Sequence, residues 1–240
     1  MPAIFVHGVP DTHHVWDALR PHLSRDDVTV VDLPGFSSPV PDGFNATKEE
    51  YVDWLIAEVE KAGEPVDLVG HDWGALLTTR LVSLRPDLVR SWAIGAGAID
   101  EGIEWHDMAR SWQTPGVGEQ VMQAMSGPAL EAGMTAAGVP AEHASLTASN
   151  VDDTMKDCIL KLYRSATGVF KDWQPASENI DRPGLMIWGG KDPYMPIDFA
   201  HKMAERTGAR MLVFEDAGHW WPLEKPAEAA SALEEFWASV

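Results

Sequence analysis

One acidic residue, Asp72, stands where a side chain is well placed to act as a nucleophile. It is the centre of the segment Gly70–Gly74 (GHDWG), which directly follows the apolar run Pro65–Val69 and directly precedes a helical pattern. A sharp turn from a strand into a helix strains the backbone of its central residue, and only small neighbours avoid a clash there. The helix would also place the positive end of its dipole beneath the turn. The segment therefore predicts a reactive carboxylate at the edge of a sheet.

The elements that must position this carboxylate are short apolar runs that alternate with helical patterns. Each run has four to six residues and is almost entirely apolar, as expected for strands of a parallel sheet covered on both faces. Alternating strands and helices predict an α/β fold. The predicted strands are Ala3–Val6, Val28–Val31, Val66–Val69, Val89–Ile94, Leu185–Trp188 and Met211–Phe214.

The helices between these strands have recognisable beginnings. Thr47 is a candidate N-cap, because two acidic residues, Glu49 and Glu50, follow it in the first turn. The last predicted helix starts with a proline, whose missing N–H costs nothing at that position. Further helices are predicted over Trp73–Leu84, Pro196–Thr207 and Pro226–Trp237.

The segment from residue 100 to residue 180 breaks the alternation, because it has helical patterns and turns but no predicted strand. Helices are predicted over Glu104–Gln113, Gly118–Met125 and Asp153–Ala166, with glycine and proline between them. We therefore predict two parts. Residues 1–99 and 181–240 form the α/β core, and residues 100–180 form a helical cap subdomain.

Composition limits the classes of partner. The chain has 240 residues and a formal net charge of −19, which disfavours nucleic acid and anionic membranes as partners. Its one cysteine, Cys158, is interpreted as a buried apolar filler. No signal peptide or membrane span is recognised, so we expect a cytoplasmic protein. We predict no cofactor and no metal, and we interpret His13, His14 and Asp11 as the start of a solvated helix.

Four further motifs accompany the GHDWG segment. They are His7–Pro10 after the first strand, Asp32–Gly35 after the second, Gly189–Asp192 after the fifth and Gly218-His219 after the sixth. With these motifs, in this order, the chain resembles the α/β-hydrolase superfamily. It is most similar to the branch with an aspartate nucleophile, which includes epoxide hydrolases and haloalkane dehalogenases.

This resemblance implies a six-stranded parallel sheet with strand order 2-1-3-4-5-6. The family has two further strands before the first motif, for which this chain has no room. The edge beside Val28–Val31 is then open, and it is a candidate homodimer surface unless charge shields it.

The resemblance also implies the catalytic roles. Asp72 attacks a carbon atom to form an alkyl–enzyme ester, and water activated by His219 then cleaves the ester. Asp192 holds the His219 ring. Asp100 is the rival acid because it follows the fourth strand, where some dehalogenases place theirs, but it is equally suited to cap a helix.

The oxyanion hole implied by the family consists of the backbone N–H groups of Val9 and Trp73. The family also implies a cis peptide bond between Val9 and Pro10. His7 is interpreted as structural, holding this loop by hydrogen bonds.

The leaving group is the open question. Tyr163 lies in the segment Leu162–Ala166, which resembles the cap motif by which epoxide hydrolases protonate the opened ring. Its alternative role is that of a core residue. No second cap tyrosine is evident, although Tyr194 is placed to reach the mouth of the cleft. One helix face carries Trp105, Met108 and Trp112, and this face leaves a halide-binding site as an alternative.

Two positions favour a small neutral substrate and an epoxide. Val9 stands where dehalogenases with an H-G-N-P loop have a halide-binding asparagine. Trp73 stands where dehalogenases of fluorinated acids have an arginine. The candidate substrate-binding side chains are Trp73, His106, Trp112 and Phe36. We therefore predict an epoxide hydrolase, with a haloalkane dehalogenase as first alternative and a non-catalytic ligand-binding relative as second.

Overall fold

Six strands form one parallel sheet in the computed structural model, which describes all 240 residues. The order is β2-β1-β3-β4-β5-β6, and every neighbouring pair is parallel, which confirms the predicted topology. The strands are β1 Ala3–Val6, β2 Val28–Val31, β3 Val66–His71, β4 Val89–Gly95, β5 Gly184–Gly189 and β6 Arg210–Phe214.

The apolar runs form central strands because helices cover both faces of the sheet. Every residue of β1, β3 and β5 is buried, whereas β2 and β6 lie at the two edges and are largely half-buried. Five helices belong to the same part of the chain as the strands: α1 Lys48–Glu60, α2 Trp73–Leu84, α9 Ile197–Thr207, α10 Trp221–Glu224 and α11 Pro226–Trp237. None of the helices has both the length and the apolar character that a membrane crossing would need.

The first of these helices begins as its sequence predicts. The Thr47 hydroxyl accepts a hydrogen bond from the backbone N–H of Glu50, and the Glu50 carboxylate accepts one from the backbone N–H of Thr47. This reciprocal capping box satisfies two N–H groups that the helix itself leaves without partners.

Six helices lie between β4 and β5. They are α3 Asp107–Gln113, α4 Val117–Ala124, α5 Gly127–Ala136, α6 Ala141–Asn150, α7 Asp153–Ser165 and α8 Val169–Ser177. Three of them match predicted segments, but α5, α6 and α8 were not predicted. The sequences of α5 and α6 are rich in small residues, and Pro175 lies inside α8. We call residues 100–180 the helical insertion, and their status as a cap subdomain stays a prediction.

Candidate active site

Asp72 occupies a strained turn between β3 and α2. Its backbone has φ 54° and ψ −121°, which is the positive-φ region that non-glycine residues rarely enter. Gly74 makes this turn possible, because a Cβ atom there would collide with the backbone oxygen of Val6 in the neighbouring strand. The turn lifts the Asp72 carboxylate out of the sheet at the carboxyl ends of the strands.

The Asp72 carboxylate is held by the loop that follows β1. Its Oδ1 atom accepts a hydrogen bond of 2.7 Å from the backbone N–H of Val9, and the Val9–Pro10 peptide bond is cis. Gly8 lies directly against the carboxylate, leaving no room there for a side chain. The predicted second donor, the backbone N–H of Trp73, makes no hydrogen bond to this carboxylate in the structure.

His219 lies between two carboxylates. Its Nδ1 atom is 2.9 Å from Oδ2 of Asp192, and its Nε2 atom is 3.5 Å from Oδ2 of Asp72. Burial alone would lower the pKa of His219, but the nearby charges and hydrogen bonds of Asp192 and Asp72 outweigh it and raise the pKa to about 10. The free site therefore holds an imidazolium between two carboxylates at neutral pH.

Asp192 is fixed as the partner of His219 by the loop after β5. Its Oδ1 atom accepts hydrogen bonds from the backbone N–H groups of Tyr194, at 2.8 Å, and Met195, at 3.1 Å. Although burial opposes it, the charge of His219 and these hydrogen bonds lower the pKa of Asp192. The carboxylate thus stays ionised and keeps the proton of His219 on Nδ1.

The rival acid, Asp100, faces elsewhere. Its Oδ2 atom is 2.6 Å from the guanidinium of Arg206 in α9, and its Oδ1 atom accepts a hydrogen bond from the backbone N–H of Gly102. Asp100 therefore anchors the start of the helical insertion to α9.

His71 is a site residue that the sequence analysis did not single out, because the elbow pattern leaves its position free. Its Nε2 atom is 2.9 Å from the backbone oxygen of His219. Burial lowers the pKa of His71, so the ring is neutral and donates from Nε2. His71 thus supports the His219 backbone from beneath. His7 has the structural role predicted for it, since its Nε2 atom accepts a hydrogen bond from the backbone N–H of Leu33.

Asp72 lies at the junction of two compartments of a cavity. The inner compartment encloses about 20 Å³, and the outer one encloses about 380 Å³. Tyr163, Tyr194, His106 and His219 line both compartments with Asp72. The other side chains of the outer compartment are apolar and come mainly from α3, α4 and α5.

The two cavity tyrosines have uncommitted hydroxyl protons. Neither Tyr163 nor Tyr194 donates a hydrogen bond to another protein group, whereas the hydroxyl of Tyr51, in α1, donates to the backbone oxygen of Pro34. Burial, together with the negative charge of Asp72, raises the pKa of Tyr163 well above its usual value, and burial also raises that of Tyr194. Both hydroxyls therefore remain protonated beside the nucleophile. The sequence placed Tyr194 at the mouth of the cleft but did not identify it as a second proton donor beside Tyr163.

Two indole groups also offer free donors. The Nε1 atoms of Trp73 and Trp112 are buried without hydrogen-bond partners, and both rings line the cavity. The indole of Trp105, in contrast, donates to the backbone oxygen of Ala166 at 3.1 Å. Of these three tryptophans, Trp73 and Trp112 thus have indole N–H groups that are not committed to a backbone oxygen.

Of the last two predicted substrate-binding residues, His106 lines the cavity and Phe36 does not. His106 faces the cavity, and its Nδ1 atom accepts a hydrogen bond from the backbone N–H of Ala109, so the proton of the neutral ring lies on Nε2. Phe36 is not among the lining residues. It is fully buried against His7 and Tyr51, and the structure therefore places it in the core instead of in the substrate site.

The fold and the site together are those of a hydrolase in which a strand–helix turn presents the Asp72 carboxylate to His219 and Asp192. The chain belongs to the alpha/beta hydrolase family, whose model matches residues 3–232.

Similar proteins within and around this family have several activities. The chain is 25% identical to (E)-2-((N-methylformamido)methylene)succinate hydrolase of Acinetobacter baylyi, over 97% of this chain and 89% of that protein. It is 23% identical to epoxide hydrolase 3 of Mus musculus, over 94% of this chain and 67% of that protein. The structure of a haloalkane dehalogenase from Bradyrhizobium elkani superposes with a TM-score of 0.81 at 19% identity, covering 100% of this chain and 91% of the other.

Proposed function

We propose that this hydrolase opens epoxides to vicinal diols through a covalent ester on Asp72. The observation that carries the proposal is the pair of uncommitted hydroxyl groups, Tyr163 and Tyr194, that line one cavity with the Asp72 carboxylate. Opening an epoxide leaves a negative charge on the ring oxygen, so a nearby proton donor lowers the barrier.

The first step follows from the two oxygens of Asp72. Oδ1 is occupied by the N–H of Val9, whereas Oδ2 faces His219 at the longer distance of 3.5 Å. Oδ2 therefore attacks a ring carbon and the ring C–O bond breaks. The freed oxygen takes a proton from Tyr163 or Tyr194, and Oδ1 becomes the carbonyl oxygen of the ester.

The second step uses His219 as a base. Once Asp72 is an ester, it has lost one of the two negative charges that hold the pKa of His219 near 10. The pKa falls, so the ring can give its extra proton to the tyrosinate left by the first step and then take a proton from a water molecule. The resulting hydroxide attacks the Cγ atom of Asp72, and the N–H of Val9 stabilises the oxyanion on Oδ1. Collapse breaks the bond between Cγ and Oδ2, the departing alkoxide takes the proton of His219 to become the diol, and the Asp72 carboxyl group returns its remaining proton to His219.

The cavity favours an uncharged substrate with one large apolar substituent. The inner compartment has room for only about one water molecule, and apart from His219, whose charge is matched by Asp72 and Asp192, the outer one has no cationic side chain that would hold a carboxylate or phosphate of the substrate. We propose that the larger substituent of the epoxide extends through the outer compartment under α4 and α5.

A second candidate, a haloalkane dehalogenase, is favoured by a different observation. The free indole N–H groups of Trp73 and Trp112 are donors suited to a departing halide, which needs hydrogen bonds but no proton. The same Asp72 ester and His219 hydrolysis would follow.

One mass-spectrometric experiment separates these functions. The variant His219→Gln keeps the nucleophile but cannot activate water, so the ester should accumulate. After exposure to styrene oxide, a peptide containing Asp72 should gain the whole mass of the epoxide. After exposure to 1-bromohexane, the same peptide of a dehalogenase would gain the mass of 1-bromohexane minus the mass of HBr.

The matched control is the double variant Asp72→Ala, His219→Gln, which should form neither adduct. An adduct from the bromide alone would replace the first proposal by the second. Absence of both adducts, with no turnover by the unsubstituted protein, would favour a non-catalytic ligand-binding protein.

A further inference from the structure

Asp11 is a buried carboxylate that the chemistry above does not use. It is 1% exposed, which overturns its interpretation as part of a solvated helix start. Its Oδ1 atom is 3.0 Å from Nε2 of His143 and 3.3 Å from the hydroxyl of Thr147. Its Oδ2 atom accepts a hydrogen bond of 2.9 Å from the indole of Trp220.

These three donors come from two separate parts of the molecule. His143 and Thr147 lie one turn apart on the same face of α6, in the helical insertion. Trp220 directly follows the catalytic histidine in the chain. Asp11 itself lies two residues beyond Val9, whose N–H holds the nucleophile.

We propose that Asp11 is a positioning residue that ties the helices α5 and α6 to the oxyanion loop and to Trp220. The inference rests on the proposed function, since it concerns the same cavity and the same N–H donor, but it holds for either leaving group.

The electrostatics of Asp11 support an ionised carboxylate in its contacts with His143, Thr147 and Trp220, which we call the Asp11 clasp. Burial alone would raise its pKa, but the hydrogen bond and charge of His143 and the hydrogen bond of Trp220 outweigh that effect, so the pKa of Asp11 is lowered. A buried carboxylate is costly unless donors surround it, and removing a donor leaves much of that cost uncompensated. Asp11 therefore holds α6, the oxyanion loop and Trp220 together strongly only while all three donors are in place.

The position of α6 matters to the substrate because α6 packs against α5. Four residues of α5, Ala129, Leu130, Gly133 and Met134, form part of the outer compartment, and Pro10 and Trp220 form another part of its wall. The Asp11 clasp thus joins opposite sides of that compartment. Loosening it should widen the space for the large substituent and free the Val9 loop.

The test uses Asp11→Asn in the full chain. The amide has one acceptor fewer and presents an N–H₂ group to existing donors, so at least one contact is lost. Hydrogen–deuterium exchange of residues 127–150 in the free protein should rise about tenfold, the factor expected from losing one hydrogen bond to a charged group. Exchange of the β3 and β5 strands should not change.

Kinetics supply the second measurement, with whichever substrate the unsubstituted protein converts. For a substrate with a hexyl substituent, KM should rise about tenfold. For a matched substrate with a methyl substituent, KM should change little, because this small group does not need the outer wall. His143→Ala should reproduce the exchange and KM effects, and His143→Gln, which retains an N–H donor, should largely restore both.

The matched control is Asp100→Asn, which alters another buried carboxylate outside the cavity and should leave exchange of residues 127–150 unchanged. Unchanged exchange in Asp11→Asn, or a uniform rise over the whole chain, would overturn the clasp. Failure of the proposed function has a different signature, because an unsubstituted protein that converts neither epoxide nor bromide still allows the exchange measurement.

Discussion

The Nε2 atom of His219 lies 3.5 Å from the Oδ2 atom of Asp72, whereas its Nδ1 atom lies only 2.9 Å from Asp192. The ring is thus held firmly on the Asp192 side and loosely on the Asp72 side, since 3.5 Å is at the outer limit of a hydrogen bond. In the proposed mechanism, this asymmetry leaves Oδ2 available for attack on a substrate. It also keeps Nε2 as the nitrogen that later meets water.

The charge of His219 should make stability depend on pH. The folded-state pKa of about 10 lies above the unfolded value of about 6.5, so protonated His219 stabilises the fold fully below about pH 6.5. That contribution, about 1.4 kcal/mol per unit of pKa difference, is lost as pH rises toward 10. Urea unfolding measures the free energy of unfolding of the unsubstituted protein and of His219→Gln. The value for the unsubstituted protein, relative to that for the variant, should therefore fall between pH 6.5 and 10. A constant difference would contradict the raised pKa.

Substitutions of Asp192 and of Asp100 should have clearly different effects on the rate of ester hydrolysis. Asp192→Asn removes the charge that stabilises the His219 imidazolium and allows the wrong tautomer, so the rate of ester hydrolysis should fall by about 10⁴. Asp100→Asn should keep that rate within about threefold and lower only stability, by about 1 kcal/mol through its part-exposed ion pair with Arg206. Single-turnover kinetics that start from the accumulated ester measure the hydrolysis rate of each variant. The reverse outcome would assign the acid to Asp100.

The two cavity tyrosines should matter for an epoxide and not for a bromide. Tyr163→Phe and Tyr194→Phe should each lower kcat for styrene oxide, and the double variant should lose about 10² to 10⁴, the range of general acid catalysis. Tyr51→Phe is the control, because its hydroxyl donates to Pro34 and does not line the cavity. If the double variant opened epoxides at the original rate, both tyrosines would be packing residues.

Gly8 should be intolerant of any side chain for a reason specific to the site. A Cβ atom there would overlap the Asp72 carboxylate, so Gly8→Ala should displace Oδ1 from the N–H of Val9. Loss of an oxyanion donor costs about 10² to 10³ in kcat. Circular dichroism and the thermal midpoint would show whether the fold is retained, and Gly133→Ala, where a Cβ atom meets nothing, is the structural control. Full activity of Gly8→Ala would contradict the tight contact.

The resemblance to a known family implied the strand order, whereas the sequence by itself determined the strands and the strained turn at Asp72. These features depend on patterns within a few residues: apolar runs of strand length, a glycine on each side of the turn, and a threonine with a glutamate three residues later at the start of α1. Such local signals act through the backbone, so they can be recognised without knowing what packs against them.

Only the tertiary structure decided which side chains meet. Asp192 and Asp100 follow neighbouring strands, but one faces His219 and the other faces Arg206. The clasp joins Asp11 to His143, 132 residues away in the chain. Contacts of this kind depend on how helices pack across the carboxyl ends of the strands, and no local pattern records that packing. Burial, neighbouring charges and hydrogen bonds then set the protonation of each group, and all three depend on the folded chain.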